Sequence, residues 1–163
     1  MLESCLPVGC FMSDIFSRLK RSWVMSCVGR KNTRPEMIVR KFLHSHGYRF
    51  RLHVKNIPGT PDLVLPRFKT AIFVNGCFWH HHLRCKMSAL PKSNRLFWDK
   101  KIEKNIARDK KTRRLLRQQG WSVITIWECG LKNRTAQTEC LAKVLRTLES
   151  QHSCKQKDVF GPQ

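Results

Sequence analysis

Thr70-Ala-Ile-Phe-Val-Asn-Gly-Cys-Phe-Trp-His-His-His-Leu-Arg-Cys85 opens like a strand and closes as a cluster of ligands. The apolar run 70–74 is rich in β-formers and predicts a buried strand. The following residues, 75–85, set two thiols and three imidazoles around a Phe–Trp pair. A cluster at a strand end is held rigidly, as it would not be in a loose tail. Cys77, His82 and Cys85 form a Cys-x4-His-x2-Cys pattern, short enough to converge on one ion. A fourth thiol, Cys129, follows a second strand-like run, 121–127. If the two strands are neighbours, their ends offer four soft ligands to one tetrahedral centre, which suits Zn²⁺. The bland alternative makes the cysteines small buried hydrophobes and the histidines a solvated patch. Either way, one or two of the three imidazoles serve a metal at most, which leaves another for other work.

Working outward, Ile57-Pro-Gly-Thr-Pro-Asp62 reads as a turn feeding the short strand 63–65, which pairs with 70–74 like a hairpin. Upstream, alternating basic and aromatic residues over 48–53 predict an edge strand. Asn32 or Thr33 caps a helix with Pro35 in its first turn, and this helix stops at His46-Gly47. Residues 22–28 read as an irregular arm or a brief helix. Downstream, Ser93 or Asn94 caps a long helix ending at Gly120, with Trp98, Ile102 and Ile106 on its core face. A last amphipathic helix covers 136–148. The order predicts an α/β domain, a mixed central sheet flanked by helices. The expected organisation is an extension over 1–11, one domain over 12–150 and a flexible tail over 151–163, with Met12 as an alternative start.

At 163 residues with a net charge of +21 and a pI near 10.4, the chain favours polyanionic partners. Nucleic acid leads; an anionic membrane surface is the alternative. Between 100 and 117 nine cations face only two acids, Glu103 and Asp109, so the charges are not paired along the helix. That favours a phosphate-tracking face over a merely solvated one. No apolar run is long enough to span a bilayer, and the start lacks the basic region of a secretory signal. The eight cysteines are unevenly scattered, which fits thiolates on a metal in a reducing compartment better than a disulfide framework.

Asp62 at a strand start is able to bind a hard cation that offsets charge on a phosphate. A Pro-Asp pair alone is weak evidence, since many turns contain one. Glu36 is a candidate second carboxylate, or simply a favourable charge at a helix N-terminus. The acidic-then-lysine pair that usually follows such a Pro-Asp is missing, and His80 is a candidate base in its place.

With these pieces together, the chain resembles the very-short-patch-repair (Vsr) DNA mismatch endonucleases of bacteria, over about residues 12–135. The resemblance rests on Arg21-Ser-Trp-Val-Met25, Asn32-Thr-Arg-Pro-Glu36, Pro58-Gly-Thr-Pro-Asp62, Phe73-Val-Asn-Gly-Cys-Phe-Trp-His80, Phe97-Trp98, Asn105-Ile-Ala-Arg-Asp109, Gly120-Trp121 and Trp127-Glu-Cys129. It implies a restriction-endonuclease-like fold, a variant of the Pro-Asp…(Asp/Glu)-x-Lys nucleases. It also implies a monomeric, cytoplasmic, nucleoid-associated bacterial enzyme that nicks the thymine strand 5′ of a T·G mismatch. Such mismatches arise from deaminated 5-methylcytosine, so a cytosine-5 methyltransferase and mismatch-repair proteins are implied as functional partners.

Carried over by position, the resemblance puts Mg²⁺ on the Asp62 carboxylate and the Val74 backbone carbonyl, with His80 as general base. Structural Zn²⁺ falls on Cys77, His82, Cys85 and Cys129. Phe78 and Trp79 become a wedge beside the mismatch, with Met25 entering from the other groove and Lys101 and Asn105 touching the mismatched pair. One departure stands out: Asn75 occupies a position where many relatives carry a second histidine. An amide can hydrogen-bond a phosphate but cannot take a proton at neutral pH. Two other readings remain at this stage, a non-catalytic zinc module that binds distorted duplex and a restriction-like nuclease for unmodified DNA.

Overall fold

The computed structural model describes residues 19–20, 23, 29, 31–91 and 94–157. Helix α1 spans Arg34–Ser45, strands β1, β2 and β3 span Arg51–Leu52, Leu63–Leu65 and Thr70–Asn75, and helix α2 spans Arg95–Gln118. Strand β4, Ser122–Trp127, and helix α3, Arg134–Lys157, complete the order expected from the sequence. The strands form one sheet in the order β1-β2-β3-β4. The first three run antiparallel, joined by the segment 53–62 and a short turn over Pro66–Phe68, whereas β4 lies parallel to β3. A parallel neighbour needs a long crossover, and the 24 residues of α2 supply it. The mixed α/β architecture follows directly.

Alternation along the strands sends Leu63, Leu65, Ile72 and Ile126 into one core with Val39 and Leu43 of α1 and Leu141, Val144 and Leu148 of α3. Val64 and Ala71, equally buried, point to the other face, where Ile102 and Leu116 of α2 are buried as well. Helix α1 starts as expected, with Pro35 in its first turn and Glu36 accepting hydrogen bonds from the Asn32 amide at 3.0 Å and the Thr33 hydroxyl at 2.9 Å. Gly47, at φ +78°, ends it. Asn94 stands at the α2 N-cap in a left-handed conformation with no side-chain capping bond, and Ser93 lies outside the described residues.

Two boundaries differ from expectation. The edge strand is only Arg51–Leu52, because it pairs on one side alone and His53 turns to φ +46°. Helix α3 runs over Arg134–Lys157, well beyond the 136–148 expected from its apolar pattern. The reason is a polar anchor that the apolar pattern cannot reveal. Gln151 accepts a bond from the Thr70 hydroxyl at 2.7 Å and donates to the Ser122 hydroxyl at 2.6 Å. Thr70 and Ser122 open β3 and β4 in register, so this one amide ties the helix to the starts of both central strands.

Candidate active site and metal centre

The turn before β2 is shaped by glycine. Gly59 has φ +76°, and a Cβ there would sit 2.3 Å from Thr112 Cγ2 of α2. The turn therefore presses directly on the long helix and delivers Asp62 to the start of β2. One carboxylate oxygen of Asp62 accepts the Val74 N–H at 2.8 Å. In an extended strand the N–H and C=O of one residue point to the same side. The Val74 carbonyl thus faces the side on which Asp62 lies. Burial, and then the charge of Glu36, hold the Asp62 carboxyl above its ordinary range; the Val74 hydrogen bond, His53 and Arg40 only partly offset this. A desolvated, under-compensated carboxylate beside a backbone carbonyl is a hard-oxygen donor set that fits a small divalent cation such as Mg²⁺.

Glu36 is near enough to act on Asp62, yet its own oxygens are engaged. Besides the capping bonds, it forms an ion pair at 2.8 Å with Arg40, itself buried. Arg40 also reaches the Asn32 amide oxygen at 2.6 Å and His53 Nε2 at 3.2 Å. Asn75 ends β3, buried, opposite Trp127 of β4. Met25 lies outside the described residues.

His80 sits in the turn after β3, its amide bonded to the Gly76 carbonyl at 3.2 Å. Its Nδ1 lies 2.5 Å from an Asp109 carboxylate oxygen on α2. Burial alone would raise the Asp109 carboxyl, but the bond to His80, its charge and Arg108 together hold it below the ordinary range. An ionised carboxylate only accepts, so Nδ1 carries the proton, and in the neutral ring Nε2 is the acceptor. An imidazole oriented this way is equipped to take a proton.

The four expected ligands come together. Cys77, His82, Cys85 and Cys129 place one donor atom each within 4.8 Å of the others. His82 Nδ1 lies 3.6 Å from the Cys77 sulfur and 3.3 Å from the Cys129 sulfur. A tetrahedral zinc with ordinary bond lengths would set nitrogen and sulfur about 3.6 Å apart, so the donor set fits. The His82 ring stacks on Trp127 at 4.2 Å and 8°, which fixes its plane. Parallel pairing of β3 and β4 is what brings the distal Cys129 alongside. Burial, followed by the neighbouring thiols, pushes the Cys77 thiol up to about 12, so thiolates here need a cation.

Between the two sites stands an aromatic group. Phe78 meets Trp79 edge-on at 5.0 Å, and both contact Trp98 of α2, at 5.1 and 6.1 Å. Trp98, expected in the core, is half-buried and braces this pair; Ile102 is buried and Ile106 half-buried. Asn105 donates to the Trp79 carbonyl at 2.9 Å, fixing the loop to the helix, while Lys101 is exposed one turn earlier.

Comparison with known proteins fits this geometry. The family model of the DNA mismatch endonuclease Vsr matches residues 13–86. A type II nicking enzyme of Xanthomonas oryzae, V.XorIIP, is 47% identical over 134 residues, covering 82% of this chain and 98% of its own. V.NmeAIP of Neisseria meningitidis is 45% identical over 138 residues, covering 85% and 98%. The DNA mismatch endonuclease Vsr of Escherichia coli is 35% identical over 128 residues, covering 78% and 81%. This chain belongs to the Vsr family.

As a Vsr-family protein it is a DNA-acting endonuclease of a repair class. No helix among the described residues is long and apolar enough to cross a membrane. The residue that sequence reasoning passed over is Asp109. Its signal was present in the Vsr stretch Asn105-Ile-Ala-Arg-Asp109, where an acid sits one helical turn beyond Asn105 in an otherwise basic helix. Read as charge balance, that acid looked incidental. Its partner lies 29 positions away, which no local pattern reveals.

Proposed function

We propose that this Vsr-family chain nicks the thymine-bearing strand on the 5′ side of a T·G mismatch, with restriction-endonuclease-like architecture and Mg²⁺ on Asp62 and the Val74 carbonyl. The observation that carries this reading is the pairing of two chemical functions at adjoining strand ends. Asp62, just before β2, is tied to Val74 of β3, and His80, just beyond β3, is oriented by Asp109. Phosphodiester hydrolysis needs both charge compensation and a proton acceptor. Bound at Asp62, Mg²⁺ supplies charge to offset the attacked phosphate and lowers the pKa of water.

The chain's own residues do the rest. His80 Nε2 takes the proton of the attacking water, while Asp109 holds the ring and stabilises the imidazolium that forms. The products are a 5′-phosphate and a 3′-hydroxyl. Asn75, unable to titrate near neutrality, hydrogen-bonds rather than shares the base role. Glu36 acts through its charge and through Arg40. Cys77, His82, Cys85 and Cys129 would hold Zn²⁺, which would tie the loop carrying Phe78, Trp79 and His80 to the end of β4.

The mismatch is recognised by deformation. Phe78 and Trp79 enter the base stack, which costs a few kcal/mol per step in matched duplex and less at a mismatch. Lys101 and Asn105, on the adjoining turns of α2, contact the mismatched pair. This reading links the protein to a cytosine-5 methyltransferase, whose product deaminates to thymine. The test uses end-labelled duplexes carrying T·G, A·T or G·C at one position, with Mg²⁺ or EDTA. The expected result is one nick, on the thymine strand, with T·G and Mg²⁺ only. Binding without nicking would mean a non-catalytic module, and nicking of A·T would mean a general nuclease.

A further inference from the structure

The basic residues of α2 do not lie on one face. At about 100° per residue, Lys101, Lys104, Arg108 and Lys111 share one flank, while Lys110, Arg113, Arg114 and Arg117 share another, roughly 150° round the helix. On the protein side, across the remaining arc of roughly 210°, runs the row that faces the protein, while on the solvent side Lys111 and Arg114 come within about 60° of each other. Asn105 bonds the Trp79 loop, Asp109 bonds His80, Thr112 packs against Gly59 and Leu116 is fully buried. The first flank adjoins the wedge loop through Lys101 and Asn105. The second lies on the other side of that row and serves neither the active site nor the metal centre.

This second flank lines an open recess of about 560 Å³ made by Lys110, Arg113, Arg114, Arg117 and Gln118. Acids neutralise part of the helix elsewhere: Arg95 pairs with Asp99 at 3.3 Å and Arg108 with Asp109 at 3.1 Å. No ion pair among the described residues involves Lys110, Arg113, Arg114 or Arg117. Four uncompensated cations on one short arc repel each other, and a regularly spaced polyanion relieves that repulsion.

We infer that Lys110, Arg113, Arg114 and Arg117 form a second phosphate-binding surface, which holds the arm of the same DNA duplex flanking the mismatch. The stripe from Lys110 to Arg117 is about 10 Å long. One strand of duplex presents a phosphate roughly every 3.4 Å along its axis, so the stripe matches about three. Arginine forks suit phosphate oxygens, and three of the four residues are arginine. The surface begins about 13 Å along the same rigid helix from Lys101, so a duplex engaged at the wedge has its arm within reach. Because the arm is tethered, it outcompetes free DNA for this surface through its high effective concentration. The inference rests on the mismatch-nicking reading only for the position of the wedge.

The test is the triple variant Lys110→Gln, Arg114→Gln, Arg117→Gln in the full chain, all three positions exposed. A charge-matched control carries Lys132→Gln, Lys143→Gln, Arg146→Gln, exposed just before and along α3. Affinity and nicking are measured across a salt series on T·G duplexes of about one and about four helical turns. Expected is near wild-type behaviour on the short duplex. On the long one, binding should weaken at least tenfold and the salt slope should fall by about two to three units. Equal losses on both lengths would place the surface inside the mismatch footprint, and no loss would remove it from DNA binding; either overturns the proposal. So does an equal effect of the α3 control, which would mean bulk charge. If only inhibition by an unlinked matched duplex is lost, the surface holds a second DNA molecule and the tethered-arm assignment falls. Failure of the wild type to nick the short T·G duplex would count against the mismatch reading instead.

Discussion

Two carboxylates at the candidate active site are pushed in opposite directions, and the signs make separate predictions. Burial raises the Asp62 carboxyl, so its ionised form costs the fold stability at neutral pH, and that cost shrinks as the pH falls through the raised value and is gone below the ordinary carboxylate pKa. Asp62→Asn should therefore leave the metal-free protein at least as stable as wild type at pH 7, with a gap in Tm that narrows on acidification. The same change should cut nicking by at least about 10³-fold, because it removes the charge that would hold the cation. Wild-type nicking by Asp62→Asn in Mg²⁺ would show the site to be misassigned. Asp109 behaves the other way. Its carboxyl is held low by His80 and Arg108, so its contribution is present above the ordinary carboxylate pKa and fades as the pH falls through the lowered value. Asp109→Asn should flatten the acid limb of unfolding below about pH 4. It should also slow nicking by about 10²–10⁴-fold, like His80→Ala, because the ring loses its orienting partner. If His80→Ala is slow while Asp109→Asn is not, the contact is merely structural.

Elements deliver these residues, and their junctions were the least legible part of the sequence. The strand-then-cluster pattern of 70–85, the short strand 63–65 and the long helix ending at Gly120 were all readable, because hydrophobic period and glycine breakers are local signals. The four candidate metal ligands were readable as a set because three of them lie within nine residues. The Gln151 anchor, the His80–Asp109 contact and the Arg40 network were not, since each joins polar groups whose proximity only the fold creates. Gly59 shows how tight such a junction is. Gly59→Ala meets Thr112 at an impossible distance and a positive φ, and should cost about 1–3 kcal/mol while displacing Asp62. Adding Thr112→Ser removes the offending methyl and should restore part of the stability, leaving the backbone strain; a full recovery would mean that φ carries no cost. At the other end of the site, Cys129 joins β4 to the ligand cluster. About one tightly bound Zn²⁺ per chain is expected, with Cys129→Ser impairing folding outright. Elemental analysis that finds no zinc in active protein would refute this.

The whole molecule combines a high positive charge with a compact recognition edge, and the two should separate experimentally. Charge acts on every duplex alike, through counterion release, and its signature is a steep salt slope. On the proposed reading the edge acts only where bases part. Phe78 and Trp79 are half-buried and braced by Trp98, with the exposed Phe97 beside it, and the loop is held by Asn105 and flanked by the candidate metal ligands on either side of His80. A brace of this kind lowers the ordering cost of inserting a ring, so more of the stacking energy appears as affinity. Trp79→Ala should then lose binding to T·G duplex by about 1–3 kcal/mol, the worth of one stacked base, with a salt slope close to wild type. Affinity for matched duplex, which the ring does not enter, should change far less. Lys101→Gln should do the reverse in part, flattening the slope by about one unit on all duplexes. Were Trp79→Ala to weaken matched and mismatched duplex equally, the ring would belong to the aromatic packing around Trp98, and recognition of the mismatch would have to come from the flank of α2 alone.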